Sequence, residues 1–274
     1  MYSDAIKFGV AGNMTGHLEQ AGEASDFVDV AAEAGAPKGM FPYHVPGATT
    51  FLGVDPVSSD TLRLPEGDDA ERVQCEPEVA LLCALSWDGT TLTGIHPRAF
   101  TAYDDASIRK PAAKISHKKN WGADSKGLGA TSVALPDGLV PGCPLDRYHL
   151  VSFLRRDGVL HLYGEDSPVV SYGYFHERLT TWMHDRLASQ TDGGPLEDLA
   201  AWLRVAGQPA EAVVGIGATR YTPFGADDRV RPGDVVTVVV YDASTLSLAD
   251  VRAAVEAGEA LPEGNPTLTR TVVA

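Results

Sequence analysis

Hydrophobic and polar positions along this chain follow the two-residue period of strands more often than the helical period. Residues 6–10 form a short apolar strand that stops at Gly9 and Gly12, and Asn13-Met14-Thr15-Gly16-His17 follows as a tight turn. An apolar stripe of Phe27, Val28, Ala31 and Ala32 predicts a helix over residues 25–35. Residues 36–69 are rich in Pro and Gly and show one strand fragment, Thr61-Leu62-Arg63-Leu64, so they read as an irregular lobe. Residues 73–170 read as largely β. Within them, 148–154 and 159–163 flank Arg155-Arg156-Asp157-Gly158, in which Asp-Gly supplies hairpin turn geometry.

Two helices are predicted next: residues 176–188, with Leu179, Trp182, Met183 and Leu187 on one face, and residues 195–205, with Pro195 in the first turn. Strands over 210–216 and 234–241 follow, the second entered through Arg231-Pro232-Gly233. Ser247 with Asp250 predicts a capped late helix carrying Val251 and Val255 on one face. This succession predicts an α+β fold with a mainly β centre, without internal repeats and without the strand–helix rhythm of a doubly wound sheet.

The pattern is most informative at Cys75-Glu76-Pro77-Glu78, which runs straight into Val79-Ala80-Leu81-Leu82-Cys83-Ala84-Leu85. In a strand, Glu76 and Glu78 share one face with Ala80, Leu82 and Ala84, while Cys75, Val79, Leu81, Cys83 and Leu85 face the other way. Pro77 donates no backbone hydrogen bond and suits a strand's beginning or an edge. Carboxylates about 7 Å apart on a buried face repel each other and lose hydration unless a cation compensates them. Either both glutamates face water before the strand is covered, or a hard metal ion neutralises them.

Further oxygen ligands would have to come from elsewhere, and Asp104-Asp105 is the candidate source. In a strand its two side chains face opposite ways, so one can turn inward. Such a carboxylate set, without clustered Cys or His, favours Mg²⁺ or Mn²⁺ over structural zinc.

Charge and cysteine content narrow the classes. The 274 residues carry a net charge of −15, from 37 acidic and 22 basic side chains, which argues against general nucleic-acid binding. The basic run from Lys114 to Lys119, with His117 inside it, is either a solvated loop or an attractor for a small anion. The cysteines Cys75, Cys83 and Cys143 form no Cys-x-x-Cys pair and read as reduced residues of a cytoplasmic protein. No stretch of eighteen apolar residues predicts a membrane span, and no leader pattern predicts export.

Arg109, four residues after Asp105, and Lys126, in a glycine-containing loop, can each pair with a substrate carboxylate or with neighbouring acids. His17 is the natural proton-transfer group in its turn, with Glu19, Gln20 and Glu23 near enough in sequence to orient it. His149, His161, His176 and His184 lie on predicted strands and a helix and read as core-edge or surface residues. The spacing of His176 and His184 lacks the i, i+4 zinc signature.

Taken in order, Gly12-Asn13-Met14-Thr15-Gly16-His17, Glu76-Pro77-Glu78, Asp104-Asp105-Ala106-Ser107-Ile108-Arg109, Lys126-Gly127, Gly217-Ala218-Thr219 and Val230-Arg231-Pro232-Gly233-Asp234-Val235-Val236 resemble the fumarylacetoacetate hydrolase family. The resemblance implies a mainly β catalytic roll or sandwich with peripheral helices, dimeric, and holding Mg²⁺, with Mn²⁺ or Ca²⁺ as alternatives. It implies an N-terminal segment and irregular lobe over 1–70 that contributes the histidine, and a β-rich metal-binding catalytic domain over 71–274.

On that resemblance Glu76, Glu78 and Asp105 match metal-binding carboxylates, Arg109 and Lys126 match residues that engage a keto acid or its enolate, and Thr219 matches a threonine near the substrate carboxylate. His17 matches the general base, with Gln20 standing where the family commonly has a glutamate; Lys126 belongs with these catalytic groups. Asp104 replaces the family's Asn, Arg220 its Pro, and Lys110-Pro111-Ala112 lacks its Gln. The implied function is metal-dependent hydrolysis or lysis of a small anionic keto acid or β-diketo acid. Isomerisation or decarboxylation of a related keto acid, and ligand binding without catalysis, are the alternatives.

Overall fold

In the computed structural model, which describes residues 2–274 except residues 28, 29, 31 and 34, β1 (Ile6–Ala11) leads to a one-turn helix α1 (His17–Gln20) and then to β2 (Gly39–His44). Short strands β3 (Val57–Ser58), β4 (Thr61–Arg63) and β5 (Val73–Gln74) precede the long hairpin of β6 (Pro77–Asp88) and β7 (Thr91–Asp104). Brief strands β8 (Ser107–Ile108), β9 (Lys126–Leu128) and β10 (Val133–Ala134) come before a second hairpin, β11 (Tyr148–Arg156) and β12 (Val159–Pro168). Helices α2 (His176–Ser189) and α3 (Leu199–Val205), strand β13 (Glu211–Ala218), short α4 (Pro223–Asp227), β14 (Val235–Asp242), α5 (Leu248–Ala257) and β15 (Thr267–Val273) complete the chain.

The strands form a curled eight-stranded sheet, β2-β1-β13-β6-β7-β9-β3 with β10 beside β7, and a five-stranded sheet, β12-β11-β14-β15-β4. A two-stranded pair, β5-β8, lies apart from both. This is the mixed α+β architecture that the polarity pattern predicts, with the peripheral helices that the resemblance implies.

Strand β6 is central in the large sheet, and its side chains alternate as expected. Val79, Leu81, Cys83 and Leu85 pack into the main core with Leu150 and Leu154 of β11 and Val236, Val238 and Val240 of β14. Ala80 and Leu82 enter a smaller core with Phe41, Tyr43, Tyr103 and Leu128. Glu76 and Glu78 belong to the face of Ala80 and Leu82 and are 4% and 2% exposed, which rules out the reading that they face water. Pro77 is the first residue of β6, where no ladder hydrogen bond from it is needed.

Several local expectations hold. Asp157 and Gly158 both adopt positive φ, 51° and 79°, as a tight hairpin turn requires. Ser247 and Asp250 form a reciprocal capping box at α5. Others shift. Residues 13–17 contain the start of α1 rather than a turn alone, entered through Gly16 at φ 83°. The second long-predicted helix begins at Leu199 rather than Pro195, because the Asp198 side chain caps it by accepting from the Ala201 N–H. Of the helix expected over 25–35, residues 28, 29, 31 and 34 lie outside the described residues, and Ala24–Phe27 is a single 3₁₀ turn. Strands β2 and β15 arise where no strand was expected. No helix among the described residues is long and apolar enough to cross a membrane.

Candidate functional site

Glu76, Glu78 and Asp105 converge at the start of β6 and the end of β7, each offering an oxygen within 4.8 Å of the others. Register explains the meeting: Pro77 pairs with Asp104 and Glu78 with Tyr103, and the Asp105 N–H donates to the Glu76 carbonyl at 2.9 Å. The two aspartates turn opposite ways, as strand alternation requires. Asp104 faces inward to Arg270, with Oδ2 2.7 Å from NH1 and both side chains fully buried, and its Oδ1 accepts the Glu76 N–H at 3.0 Å. Asp105 faces the glutamates.

The backbone of β13 is shaped around Glu78. Pairing of β13 with β6 shifts between Gly215 and Ala218, and the displaced Gly217 N–H donates to Glu78 Oε2 at 3.0 Å. A Cβ on Gly215 would lie 2.5 Å from the same carboxylate oxygen, so only glycine leaves room for it. Tyr103 donates its hydroxyl to Asp105 Oδ1 at 3.1 Å.

Cations surround this group. Lys119 Nζ lies 2.8 Å from Glu76 Oε2 and 2.5 Å from Asp105 Oδ2, and Arg109 NH1 lies 2.8 Å from Glu76 Oε1. The Arg109 contact is an ion pair without hydrogen-bond alignment, because the guanidinium directs its bonds to Glu23 at 2.6 Å, Gln74 at 2.6 Å and the Tyr221 hydroxyl at 2.9 Å. Glu23 also pairs with Lys118 at 2.9 Å. Lys126 lies 3.0 Å from Asp105 Oδ1 and donates to the Ala106 carbonyl, fully buried.

Glu78 has no ion-pair partner within 4.0 Å among the described residues. Its acidity follows: burial first, then the Asp105 charge, push the Glu78 carboxyl well above the usual carboxylate range. Burial acts in the same direction on Glu76, but the Lys119 ammonium and then Arg109 outweigh it and hold that carboxyl well below its ordinary value. Burial brings Lys126 down to about 8 against the pull of Asp105.

His17 stands over the carboxylates. Its Nδ1 lies 2.9 Å from the Thr219 carbonyl, which can only accept, so Nδ1 carries a proton and Nε2 is the nitrogen that has the lone pair in a neutral ring. Nε2 is buried, has no hydrogen-bond partner among the described residues and lies 3.8 Å from Glu76 Oε2. Gln20 does not orient the imidazole directly. Its amide donates to the Tyr221 carbonyl at 3.3 Å and accepts the Tyr221 N–H at 2.9 Å, fastening α1 to the chain after β13.

A cavity of about 20 Å³, the space of one water, lies between these layers. Met14, His17, Leu18, Glu23 and Phe27 cover it, and Glu76, Glu78, Asp105 and Lys119 line it from below. The structure thus brings together His17, Glu76, Glu78, Asp105 and, through Glu76, Arg109. Lys126 reaches the group from beneath Asp105, while Thr219 contributes its carbonyl and keeps a buried hydroxyl without a partner among the described residues. Neither lines the cavity. Sequence reasoning missed Lys119 and Arg270 as individual residues. The basic run Lys114–Lys119 was the available signal for Lys119, whereas Arg270 stands alone in sequence.

The donor set suits a hard divalent ion. Three buried carboxylates supply oxygen ligands, Glu78 has no ion-pair partner among the described residues, and the Gly217 N–H and Tyr103 hydroxyl orient the ligands from behind. Lys119 engages two of the same carboxylates and competes for them.

Comparison with known families matches residues 23–272 to DUF5718, described as a family of unknown function. No curated protein matches the chain. Among solved structures, the chain is similar to a 5-carboxymethyl-2-hydroxymuconate delta-isomerase from Mycobacterium smegmatis, with 17% identity and a TM-score of 0.52 over 98% of this chain and 78% of that one. It is similar to 2-keto-3-deoxy-D-arabinonate dehydratase complexed with magnesium and 2,5-dioxopentanoate, with 14% identity and a TM-score of 0.55 over 98% and 72% of the two chains. Cg1458 with inhibitor matches at 16% identity and a TM-score of 0.55, covering 98% of this chain and 77% of that one. At such identities the likeness is one of fold.

Proposed function

Starting from a chain that belongs to DUF5718, a family of unknown function, we propose that it is a divalent-metal-dependent enzyme acting on a small keto acid or β-diketo acid as a hydrolase or lyase. The observation that carries this reading is the buried Glu76, Glu78 and Asp105 triad with Nε2 of His17 turned toward it. The similar structures support it, since one is a dehydratase complexed with magnesium and a dioxo acid.

Glu76, Glu78 and Asp105 would hold Mg²⁺, or Mn²⁺ or Ca²⁺ in its place. When bound, the ion supplies Lewis acidity to adjacent carbonyl and carboxylate oxygens and stabilises enolate charge. The chain's own residues supply the rest. Lys119 leaves its two carboxylate contacts and steadies the substrate's anionic end, while Arg109, bonded to Glu23, Gln74 and Tyr221, keeps the Glu76 charge paired. Nε2 of His17 takes a proton from water or from the substrate carbon, and the Thr219 carbonyl steadies the resulting imidazolium through Nδ1. Lys126 sets the position of Asp105, and Gln20 sets that of α1. The cover over the 20 Å³ cavity opens to admit substrate and, once closed, excludes water.

One observation favours a second reading, isomerisation or decarboxylation. Gln20 is spent on the Tyr221 backbone, and among the described residues no carboxylate meets His17 Nδ1, so the charge support that water activation draws on is weaker. A metal-supplemented screen against acylpyruvates, oxaloacetate, ring-cleavage keto acids and sugar-derived keto acids, with Glu78→Ala and His17→Ala alongside, separates the readings. Hydrolysis predicts loss of turnover in both variants. Turnover that survives His17→Ala but not Glu78→Ala assigns the second reading, and absence of both metal binding and conversion rejects the enzyme.

A further inference from the structure

A second cluster of ligand-type side chains shares no residue with the carboxylate pocket. It lies where the single 3₁₀ turn Pro144–Arg147 meets the first residue of α2. Cys143 caps that turn and Asp146 follows three residues later. From its extended N-cap position the Cys143 thiol reaches across the turn to the Asp146 carboxylate. His176 comes to them from α2 with φ 50°, a left-handed conformation uncommon for a residue with a side chain.

The three groups meet at one atom. His176 Nε2 lies 2.6 Å from Asp146 Oδ1, and Cys143 Sγ lies 3.5 Å from that same oxygen. One ligand atom from each residue lies within 4.8 Å of the other two. The second oxygen, Oδ2, accepts the Gly142 N–H at 2.7 Å, which fixes the carboxylate from behind. The thiol is reduced and buried, while the Asp146 and His176 side chains stay 29% and 24% exposed, so a small ion has a path from solvent.

Two other uses of this trio fit less well. In a Cys–His nucleophile the imidazole bonds the thiol, whereas here both bond the carboxylate. Burial also pushes the Cys143 thiol up, against thiolate formation without a cation. A plain His176–Asp146 tether would hold the helix but gives no part to a thiol within reach of the same oxygen.

We propose that Cys143, Asp146 and His176 form a Zn²⁺ site of mixed sulfur, oxygen and nitrogen donors, separate from the all-oxygen pocket. Three such protein ligands with solvent in the fourth position are a recurrent tetrahedral zinc arrangement, and the thiolate selects against Mg²⁺. Binding replaces the thiol proton and the His176–Asp146 hydrogen bond with ligand bonds: the thiol proton goes to solvent, and the proton on His176 Nε2 is exchanged through solvent to Nδ1, which frees the Nε2 lone pair.

Co²⁺ serves as the probe, because its thiolate charge-transfer absorption in the near ultraviolet reports sulfur ligation. Titration of metal-free protein is expected to give a saturating band of one Co²⁺ per chain, discharged by Zn²⁺ and insensitive to excess Mg²⁺. The band should persist in Glu78→Gln, vanish in Cys143→Ser and need about 100-fold more metal or beyond in His176→Gln, since losing a ligand costs at least the ten- to hundredfold that losing a ligand's supporting contact does. Circular dichroism of the metal-free variants checks that they fold. If a variant does not, a rise in Tm of wild-type protein and of Glu78→Gln with Zn²⁺ carries the test. No band and no rise in Tm, or a band that survives Cys143→Ser, overturns the proposal. Persistence in Glu78→Gln keeps this outcome independent of the keto-acid reading.

Discussion

Replacing Glu197 with glutamine should stabilise the protein above neutral pH and leave it nearly unchanged in mild acid. Glu197 is buried beside the turn that carries Lys118 and Lys119. Its Oε1 accepts the Ser116 hydroxyl at 2.7 Å, and its Oε2 has no partner among the described residues. Burial raises its pKa to about 7 from an ordinary 4.5, with Ser116 and Lys114 offsetting part of the cost. The folded chain therefore holds a proton that the unfolded chain releases, so this carboxyl's stabilising contribution is complete below pH 4.5 and is lost as pH rises through 7. The full loss is 2.5 pKa units at 1.36 kcal/mol each, about 3 kcal/mol. Because ionisation of the unfolded chain has begun by pH 5, the difference between wild type and Glu197→Gln should change by about 2.5 kcal/mol between pH 5 and pH 8. Urea midpoints of both proteins at pH 5, 6, 7 and 8 measure it, and groups common to both cancel in the difference. Parallel pH profiles, differing by less than about 0.5 kcal/mol across the range, would refute the reasoning.

Arg270→Met should cost about 3–5 kcal/mol in urea unfolding, because it strands the buried Asp104 charge, removes both guanidinium bonds to the Thr61 carbonyl and leaves the Asp124 carbonyl only the Arg63 N–H. Adding Asp104→Asn should recover part of that loss, and strictly additive costs in the double-mutant cycle would argue against the pair. Gly215→Ala places a Cβ 2.5 Å from Glu78 Oε2 and 2.8 Å from the Tyr103 ring, so it should weaken Mg²⁺ or Mn²⁺ binding by about tenfold or more in calorimetric titration. Unaltered affinity in a folded Gly215→Ala protein would mean that Glu78 is not a ligand.

What was legible in the fold follows from which side chains report their environment. Strand β6 could be read because each of its faces meets apolar partners, so the alternation appears directly in Val79, Leu81 and Cys83 against Ala80 and Leu82. Strand β15 alternates just as strictly: Leu268, Arg270 and Val272 are buried, while Thr269 and Thr271 are exposed. Its pattern was hidden because the inward position between Leu268 and Val272 is an arginine, and Arg270 becomes a core residue only opposite Asp104, 166 positions away in the chain. Strand β2 is buried at every position and contains Pro42, so it offers neither alternation nor an ordinary strand composition.

The site divides in the same way. Its carboxylates were legible because Glu76-Pro77-Glu78 breaks the polarity of its own strand, and strand alternation requires only one of Asp104 and Asp105 to join them. The groups that complete it are held by backbone contacts, which leave no side-chain pattern to read. Asn13 donates to the Tyr174 and Ile216 carbonyls and accepts the Tyr174 N–H, His17 bonds the Thr219 carbonyl, and Gln20 takes both polar atoms of the Tyr221 backbone. The cover therefore rests on the chain from Ile216 to Tyr221, the same stretch in which the β13 bulge turns the Gly217 N–H to Glu78. A movement of that stretch displaces the base and a carboxylate ligand together. Substitutions at Asn13 or Gln20, neither of which touches the carboxylates, should accordingly lower metal affinity as well as turnover.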